Sequence, residues 1–428
     1  MARIAVIGAG VAGLTAAHAL QRAGHEVCVF EGADYAGGHT CTVPVTTAAG
    51  TSMVDMGFIV FNDRNYPNFT ALLAELDVEF QRSEMSFAVT SQDGGFEYSS
   101  ASLAGVLATA SNLPRPAFWR MLRDVKRFQR DAAELLDSDS DESLGHYLQR
   151  NGYSRWFVQR LLVPQAAAVW SAPEEQMWTF PARFLARFFH NHGMLSLRDR
   201  PQWFTVTGGS RQYVDALTAS LDVRLNTPVQ AVHRFDEHVE VTTATGETER
   251  YDEVVLACHS DQALALLSDP SDEERRILGA IPYQPNEAVL HTDRSLLPRR
   301  RRAWASWVYH LLDEGRAGSG LSTVSYHMNR LQSLAEPDEQ IVVTLNRTDA
   351  IDPDKVVAVK HFAHPVFTPE GMSAQESHHR ISGVRRTHYA GAYWRWGFHE
   401  DGVWSGLRAA ASAADAHGAQ ALGLAEAA

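Results

Sequence analysis

Apolar positions near the start of the chain gather in two short runs, Arg3-Ile4-Ala5-Val6-Ile7 and Glu26-Val27-Cys28-Val29-Phe30. Between them, from Val11 to Ala23, Leu14, Ala17 and Leu20 recur at helical spacing, and Gly24 ends the pattern. Continuous apolar runs of this length predict strands buried on both faces, and the intervening period predicts a helix with one buried side. Strand, helix and strand within about 30 residues make a βαβ unit, and hence a parallel sheet covered above and below. From about residue 103 to 195 the texture changes to Leu, Ala, Arg, Phe and Trp, with Phe118, Leu122, Val125 and Phe128 at helical spacing. Pro114, Pro116, Pro164, Pro173 and Pro181 punctuate this block, which predicts several separate helices. Alternation at Val223–Leu225, Val239–Thr243 and Asp252–Ala257 predicts strands, as do Glu287–Thr292, Ser306–Leu311, Leu321–His327 and Gln340–Leu345. A last strand, His388–Ala390, precedes a helix from about Gly402 to His417, and the Ala-rich tail is expected to fray. No repeat or low-complexity linker interrupts the chain, so the helical block reads as an insertion into an α/β body.

Composition narrows the class. The 428 residues are 45% hydrophobic and 10% aromatic, enough for two or three buried cores and too apolar for disorder. No window of about 18 residues is free of both charge and strong polarity, so no membrane-spanning helix is expected. The N-terminal Met-Ala-Arg runs straight into a strand, leaving no room for a secretory signal, and Cys28, Cys41 and Cys258 are too scattered for a disulfide framework. A cytoplasmic location is the expectation. The net charge of −13 argues against a nucleic-acid partner.

Gly8-Ala9-Gly10-Val11-Ala12-Gly13 follows the first strand and opens the first helix. Gly8 permits the tight turn, Gly10 lets a pyrophosphate approach the backbone, and Gly13 lets helix and strand pack closely. The helix N-terminus, including Val11 and Ala12, offers free N–H groups and a positive dipole end. Glu31 closes the second strand, 23 residues beyond Gly8, where a carboxylate can accept from both ribose hydroxyls. Together these features predict a dinucleotide site. A second glycine pair follows at Gly37-Gly38-His39-Thr40, which a nicotinamide dehydrogenase does not need. Near the C-terminus, Tyr389-Ala390-Gly391-Ala392-Tyr393-Trp394 and then Gly397-Phe398-His399-Glu400-Asp401-Gly402-Val403 form a strand end, a loop and a helix start. Such a helix can aim N–H groups at a ring on which negative charge develops.

These three separated elements, in this order, resemble the flavin-containing amine oxidoreductase superfamily, the group of amine oxidases and phytoene desaturases. In particular the chain is similar to its bacterial members labelled predicted NAD/FAD-binding proteins. Val54–Asn62, with Gly57, Phe58 and Ile59, matches that group, as do Phe188–Gly193 and Arg200–Trp203. The segments carrying Val229, Ala257 and Cys258, and the Val206–Ser210 turn with its helix through Leu217, resemble elements of the wider superfamily. The resemblance implies FAD as cofactor, with His39 standing where relatives often have Arg and Ala392 where many carry an acid. It also implies a discontinuous Rossmann-like FAD-binding domain of the glutathione-reductase type (1–70, 200–265, 380–428). A mixed-sheet substrate domain (71–102, 266–379) interleaves with it, and 103–199 form a helical cap. The implied activity is hydride transfer from substrate to FAD and on to oxygen, a quinone or another acceptor. The Phe-, Trp- and Leu-rich cap favours an apolar lipid or polyketide-like acyl substrate and a desaturase, dehydrogenase or oxidase. Amine oxidation, redox-neutral double-bond isomerisation, and a non-catalytic lipid-binding chaperone of the same fold are the alternatives.

Candidates for the substrate-facing wall are Tyr393, Trp394, Tyr309 and Tyr326, with Trp203. Some amine oxidases use a lysine to bridge water to the flavin, and Lys360 is one of very few lysines available. His190 and His192 have the two-apart spacing of one strand face, but no third ligand at zinc spacing accompanies them, and no metal is expected. Gly318-Ser319-Gly320 lacks a third glycine and a preceding strand and reads as a loop. Arg120, Arg123, Lys126, Arg127 and Arg130 fall on one face of a helix, and Arg299–Arg302 form a second basic cluster. Despite the acidic total, both leave open a peripheral contact with an anionic membrane.

Overall fold

The computed structural model describes residues 1–48, 50–136, 140, 142–196, 200–312, 320–334 and 339–418. The two apolar runs become β1 (Arg3–Ile7) and β2 (Glu26–Phe30), joined by α1 (Val11–Arg22). They lie inside a five-stranded, all-parallel sheet ordered β10 (Asp222–Arg224), β2, β1, β14 (Glu253–Leu256), β20 (Thr387–Tyr389). Alternate side chains supply two cores. Ile4, Val6, Val29 and Val255 pack beneath α1, the helix α6 (Arg211–Thr218) and the C-terminal helix α7 (His399–Asp415). Ala5, Ile7, Val254 and Leu256 pack against an antiparallel sheet of β11 (Val229–Arg234), β12 (Val239–Thr243) and β13 (Thr248–Tyr251), and against helices Ser260–Leu266 and Asp272–Leu278. Both faces of the parallel sheet are therefore covered, as continuous apolar strands require.

The second body is a seven-stranded mixed sheet. Its order is β19 (Val356–Pro365), β15 (Tyr283–His291), β18 (Val342–Leu345), β17 (Val324–His327), β16 (Trp307–Leu311), β7 (Phe87–Ser91), β8 (Glu97–Ser99). The helical block contributes α3 (Pro116–Leu136), α4 (Val163–Trp170) and α5 (Ala182–Asn191), whose apolar faces merge with this sheet in one continuous core. A hairpin of β3 (Thr42–Thr47) and β4 (Gly50–Asp55) and a small sheet of β5 (Phe61–Asn62), β9 (Trp203–Val206) and β6 (Phe80–Arg82) lie between the two bodies in sequence. The α2 helix (Pro67–Glu75) leads from β5 to β6 and packs on α7. Among the described residues no helix is long and apolar enough to cross a membrane.

Some expectations are corrected. His190 and His192 do not share a strand face: His190 lies in the last turn of α5 and His192 caps it, stacked on Phe188 at 3.9 Å. The helical period of Leu185, Phe188 and Phe189, all buried, decides the segment, and the two-residue spacing of the histidines is incidental to it. The C-terminal helix begins at His399, three residues before Gly402, because Asp401 closes a capping interaction on the Phe398 N–H. Arg127 leaves the basic face to lie over Tyr153, 3.8 Å from the ring centroid. The fraying tail beyond 418 and the Gly318-Ser319 pair lie outside the described residues.

The closest helix approach is between α1 and α7. A Cβ added at Gly406 would stand 2.3 Å from the Ala12 carbonyl oxygen, and one at Gly402 would stand 2.6 Å from Val11 Cγ1. Gly406→Val is therefore expected to destabilise the chain by about 1–3 kcal/mol through overpacking. A lowered urea midpoint with unchanged slope is the expected reading; an unchanged midpoint would mean that the helices do not cross here.

Candidate functional site

The site grows from the turn between β1 and α1. Gly8 sits at φ +106°, and a side chain there would meet the Ala257 carbonyl oxygen at 2.8 Å. A Cβ on Gly13 would lie 1.9 Å from the Gly8 oxygen, so the turn exists only with glycine at both positions. At Gly10, the N-cap of α1, no side chain caps the helix and nothing stands within 4 Å of where a Cβ would be. The first-turn N–H groups of Val11, Ala12 and Gly13 lack intrahelical acceptors there by helix geometry. A diphosphate would supply the acceptors that this uncapped terminus lacks.

The Glu31 carboxylate accepts from the Ala9 N–H at 2.8 Å and from the Ala33 N–H at 2.9 Å, one bond per oxygen. Each oxygen keeps lone pairs for a ribose diol. Thr227 N–H donates to the Glu31 carbonyl at 2.8 Å, which sets Val229 and the start of β11 beside the same end of the site. Ala257 is held to Ile7 by a 2.8 Å backbone bond, and burial pushes the neighbouring Cys258 thiol up to about 12, so it stays protonated. These residues fit the adenosine and diphosphate parts of FAD.

The second glycine pair folds back onto the first. Gly37 N–H donates to the Ala9 carbonyl at 2.8 Å, and a Cβ on Gly38 would stand 3.3 Å from Gly10 Cα. Phe58 N–H donates to the His39 carbonyl at 2.9 Å, and a Cβ on Gly57 would come within 2.1 Å of the same oxygen. Ile59 is buried alongside, its carbonyl accepting from Thr205 Oγ1 at 2.9 Å. Phe58 stacks on His399 with ring centroids 3.5 Å apart, and His399 Nε2 lies 2.7 Å from the Tyr213 hydroxyl and 3.1 Å from Thr40 Oγ1. Burial pushes His399 down to about 3, so the imidazole is neutral.

Residues of the C-terminal element divide by role. Gly391 N–H donates to Ser405 Oγ at 2.9 Å, tying the strand end with Ala392 to the helix that contains Gly402 and Val403. The Glu400 carboxylate is occupied with the start of α2, accepting from Asn68 N–H and Nδ2 and from Phe69 N–H at 2.6 to 3.1 Å. Asp401 accepts from Phe398 N–H at 2.9 Å. Both acids thus serve the protein with their side chains, and the backbone of the first turn of α7 is what remains for a ligand.

The four aromatic candidates are not brought together. Tyr309 and Tyr326 belong to the core shared by the mixed sheet and the helical block, where Tyr309 donates to Glu174 at 2.7 Å. Tyr393 and Trp394 pack in the core on the far side of the parallel sheet, with the Trp394 indole N–H buried and without a partner. Trp203 sits on β9, its ring 6.1 Å from that of His192. Lys360 lies on β19 with its ammonium 5.1 Å from the Tyr35 ring. Three residues that the motifs did not single out, Phe58's partner His399 apart, crowd the glycine turns: Tyr213, His259 and His364. The alternation Lys360, Phe362, His364 along β19 is the sequence signal that sets these three on one strand face. Among the described residues no group of three or more His, Cys, Asp or Glu is arranged to hold a metal.

Two crossed helices that present their N-termini to one glycine-lined cleft, with an acid closing the second strand, define a dinucleotide-binding flavoprotein fold. The chain belongs to the flavin containing amine oxidoreductase family, whose sequence model matches residues 11–414. It is 29% identical over 278 residues to a protein of Mycobacterium tuberculosis named flavin-containing monoamine oxidase AofH, covering 62% of this chain and 59% of that one. It is 26% identical over 265 residues to the flavin-dependent L-tryptophan oxidase RebO of Lentzea aerocolonigenes, covering 57% and 54%. The chain thus matches less than two thirds of the length of these curated relatives. Its fold is that of cyclohexylamine oxidase from Brevibacterium oxydans, with TM-score 0.69, 17% identity, and 97% and 99% of the two chains covered. It is also that of a conjugated-linoleic-acid-producing fatty acid isomerase from P. acnes, with TM-score 0.64, 17% identity, and 95% and 97% covered. Family membership implies a flavin cofactor, typically FAD.

Asp401 also makes the cleft sensitive to pH. Burial pushes its carboxyl up to about 7, outweighing the Phe398 N–H and Arg395. Since the folded value exceeds the unfolded one, the folded chain holds an extra proton between about pH 4 and pH 7, and stability falls as pH rises through that window. Asp401→Asn is expected to reduce this fall, by up to about 1.4 kcal/mol per pH unit, in urea titrations of the cofactor-free chain. An unchanged pH profile would refute the assignment.

Proposed function

We propose that the protein is an FAD-dependent oxidoreductase that takes hydride from an apolar, acyl-chain substrate bound between the helical block and the mixed sheet. The observation that carries this reading is an aromatic layer next to α7. Trp170 of α4 and Phe184 and Phe188 of α5 meet Phe367, Trp396 and Phe398, with Phe184 and Trp396 rings 4.2 Å apart. Trp170 Nε1 donates to the Trp396 carbonyl at 3.3 Å, so the cap is tied to the loop that leads into the flavin-facing helix. Bound FAD supplies the hydride-accepting ring. The layer orients an apolar chain and keeps water away, while the first turn of α7 offers N–H groups to negative charge that develops on reduction.

Amine oxidation is the second reading, favoured by the names of the relatives and by aromatic faces suited to an ammonium. The intact glycines at 8, 10, 13, 37 and 38 favour a flavoenzyme over a binding-only chaperone. Purified protein is expected to be yellow, with an absorbance band at about 450 nm. Under anaerobic conditions that band should bleach with fatty acyl substrates and not with primary amines; the reverse pattern would select the amine reading, and a colourless protein would end both.

We also propose that the protein is cytoplasmic and touches membranes peripherally through α3. Trp119 is 51% exposed on the same face as Arg120, Arg123, Lys126 and Arg130. Arg302 Nη2 donates to the Ala108 carbonyl at 2.7 Å, which joins the second basic cluster to the segment leading into that helix. Co-sedimentation with phosphatidylserine-containing vesicles, weakened by salt and by Trp119→Ala, is the expected result. Equal recovery with pure phosphatidylcholine vesicles would refute the contact.

A further inference from the structure

Three imidazoles from separated segments converge beside the glycine turns. The His39 ring lies 5.2 Å from that of His364 and 6.3 Å from that of His259, and Phe362 stacks on it at 5.0 Å. His39 directly follows Gly38, whose Cβ would meet Gly10; His259 directly follows Cys258, whose backbone nitrogen lies 3.2 Å from where a Gly8 Cβ would be. Two of the rings thus hang one residue away from the turn that would cradle a diphosphate. The third is delivered by β19 from the other body, with Asn286 Nδ2 donating to His364 Nδ1 at 2.8 Å. His259 stacks on Tyr283 at 4.3 Å.

His39 is the unsatisfied member. Its Nε2 is sealed from solvent and has no hydrogen-bond partner. A buried polar nitrogen left bare is rare, and it marks a place where a ligand atom completes the shell. Burial holds His39 well below its ordinary value, with His364, His259 and His399 acting in the same direction and the Ala363 carbonyl opposing. Burial and His259 hold His364 at about 4; burial lowers His259 too, with Asp261 opposing. Nearby, Cys258 and Tyr35 are held protonated at about 12, and the Lys360 ammonium faces Tyr35. The empty cluster is therefore neutral, beside a cradle that is to receive two negative charges.

We propose that His39, His259 and His364 form a proton-accepting counter-charge for the cofactor's diphosphate: the cluster is neutral when empty and takes up a proton from solvent when the dianion binds. Nε2 of His39 receives that proton and donates it as a hydrogen bond to phosphate oxygen. The proposal rests on the FAD reading above. Its sign follows from linkage: between the low free value and the raised bound value, binding consumes a proton, so affinity falls as pH rises, by at most about tenfold per unit.

The test uses the full-length chain stripped of cofactor. FAD is titrated across neutral pH with flavin fluorescence as the readout, and calorimetry in two buffers of unlike ionisation enthalpy counts protons. The expected result is uptake of about one proton and a Kd that rises roughly three- to tenfold per pH unit. ADP-ribose, which carries the same doubly esterified diphosphate without the flavin, should show the same uptake. His39→Arg, with a permanent charge, should bind FAD with a clearly shallower pH profile and about one proton less uptake, whereas His39→Gln should bind weakly at all pH values. Tight FAD binding without proton uptake, or uptake unchanged in His39→Arg, overturns the proposal and leaves the flavin reading standing. Failure to bind FAD at any pH overturns both.

Discussion

The close crossing of α1 and α7 is the constraint on which the rest of the structure depends. Gly402 and Gly406 let the C-terminal helix rest on the backbone of α1 at Val11 and Ala12, with no side chain between them. Two positive dipole ends are thereby brought to one cleft, although their residues are separated by almost the whole chain. Like ends of dipoles repel, and here the apolar packing of Ala16, Ala409, Ala410 and Ala413 holds them together. The electrostatic tension is relieved when an anionic ligand occupies the space between.

That tension explains the choice of polar groups around the cleft. The acids nearest to it, Glu400 and Asp401, are turned toward N–H groups of the protein itself, so they stiffen α2 and α7 without competing for the ligand. Glu31 is pinned by two backbone N–H groups and keeps its shape whether or not a ribose is present. Histidines, rather than arginines, fill the second glycine turn, and a neutral ring can be buried at a cost that a guanidinium cannot match. The aromatic layer over the loop before α7 then ties the helical block to this loop.

The parts legible in the sequence are those whose signals are local. The β1–α1–β2 unit and its glycines could be read because each requirement, a tight turn, a close approach or a buried strand, acts within a few residues. The C-terminal element was legible for the same reason. The hairpin of β3 and β4 escaped because it is half exposed, Thr-rich and carries Pro44, which is tolerated only because the pair has no further neighbours. The cluster of His39, His259 and His364 escaped for a different reason: its members meet only through tertiary packing, and no spacing in the chain announces it. His190 and His192 show the opposite error, a suggestive spacing overruled by the helical period of the apolar residues around it.

The order of strands in the parallel sheet carries a consequence for biosynthesis. Its edge strand β20 lies at residues 387–389, while its central strand β1 lies at residues 3–7. A ribosome therefore releases the first strand long before the last one exists, and the helix that covers it follows later still. Until then β1, β14 and the small-residue face of α1 lack their final cover. Completion of this domain waits on the synthesis of residues 387–415, and a chain cut before them should be prone to association rather than a smaller working protein.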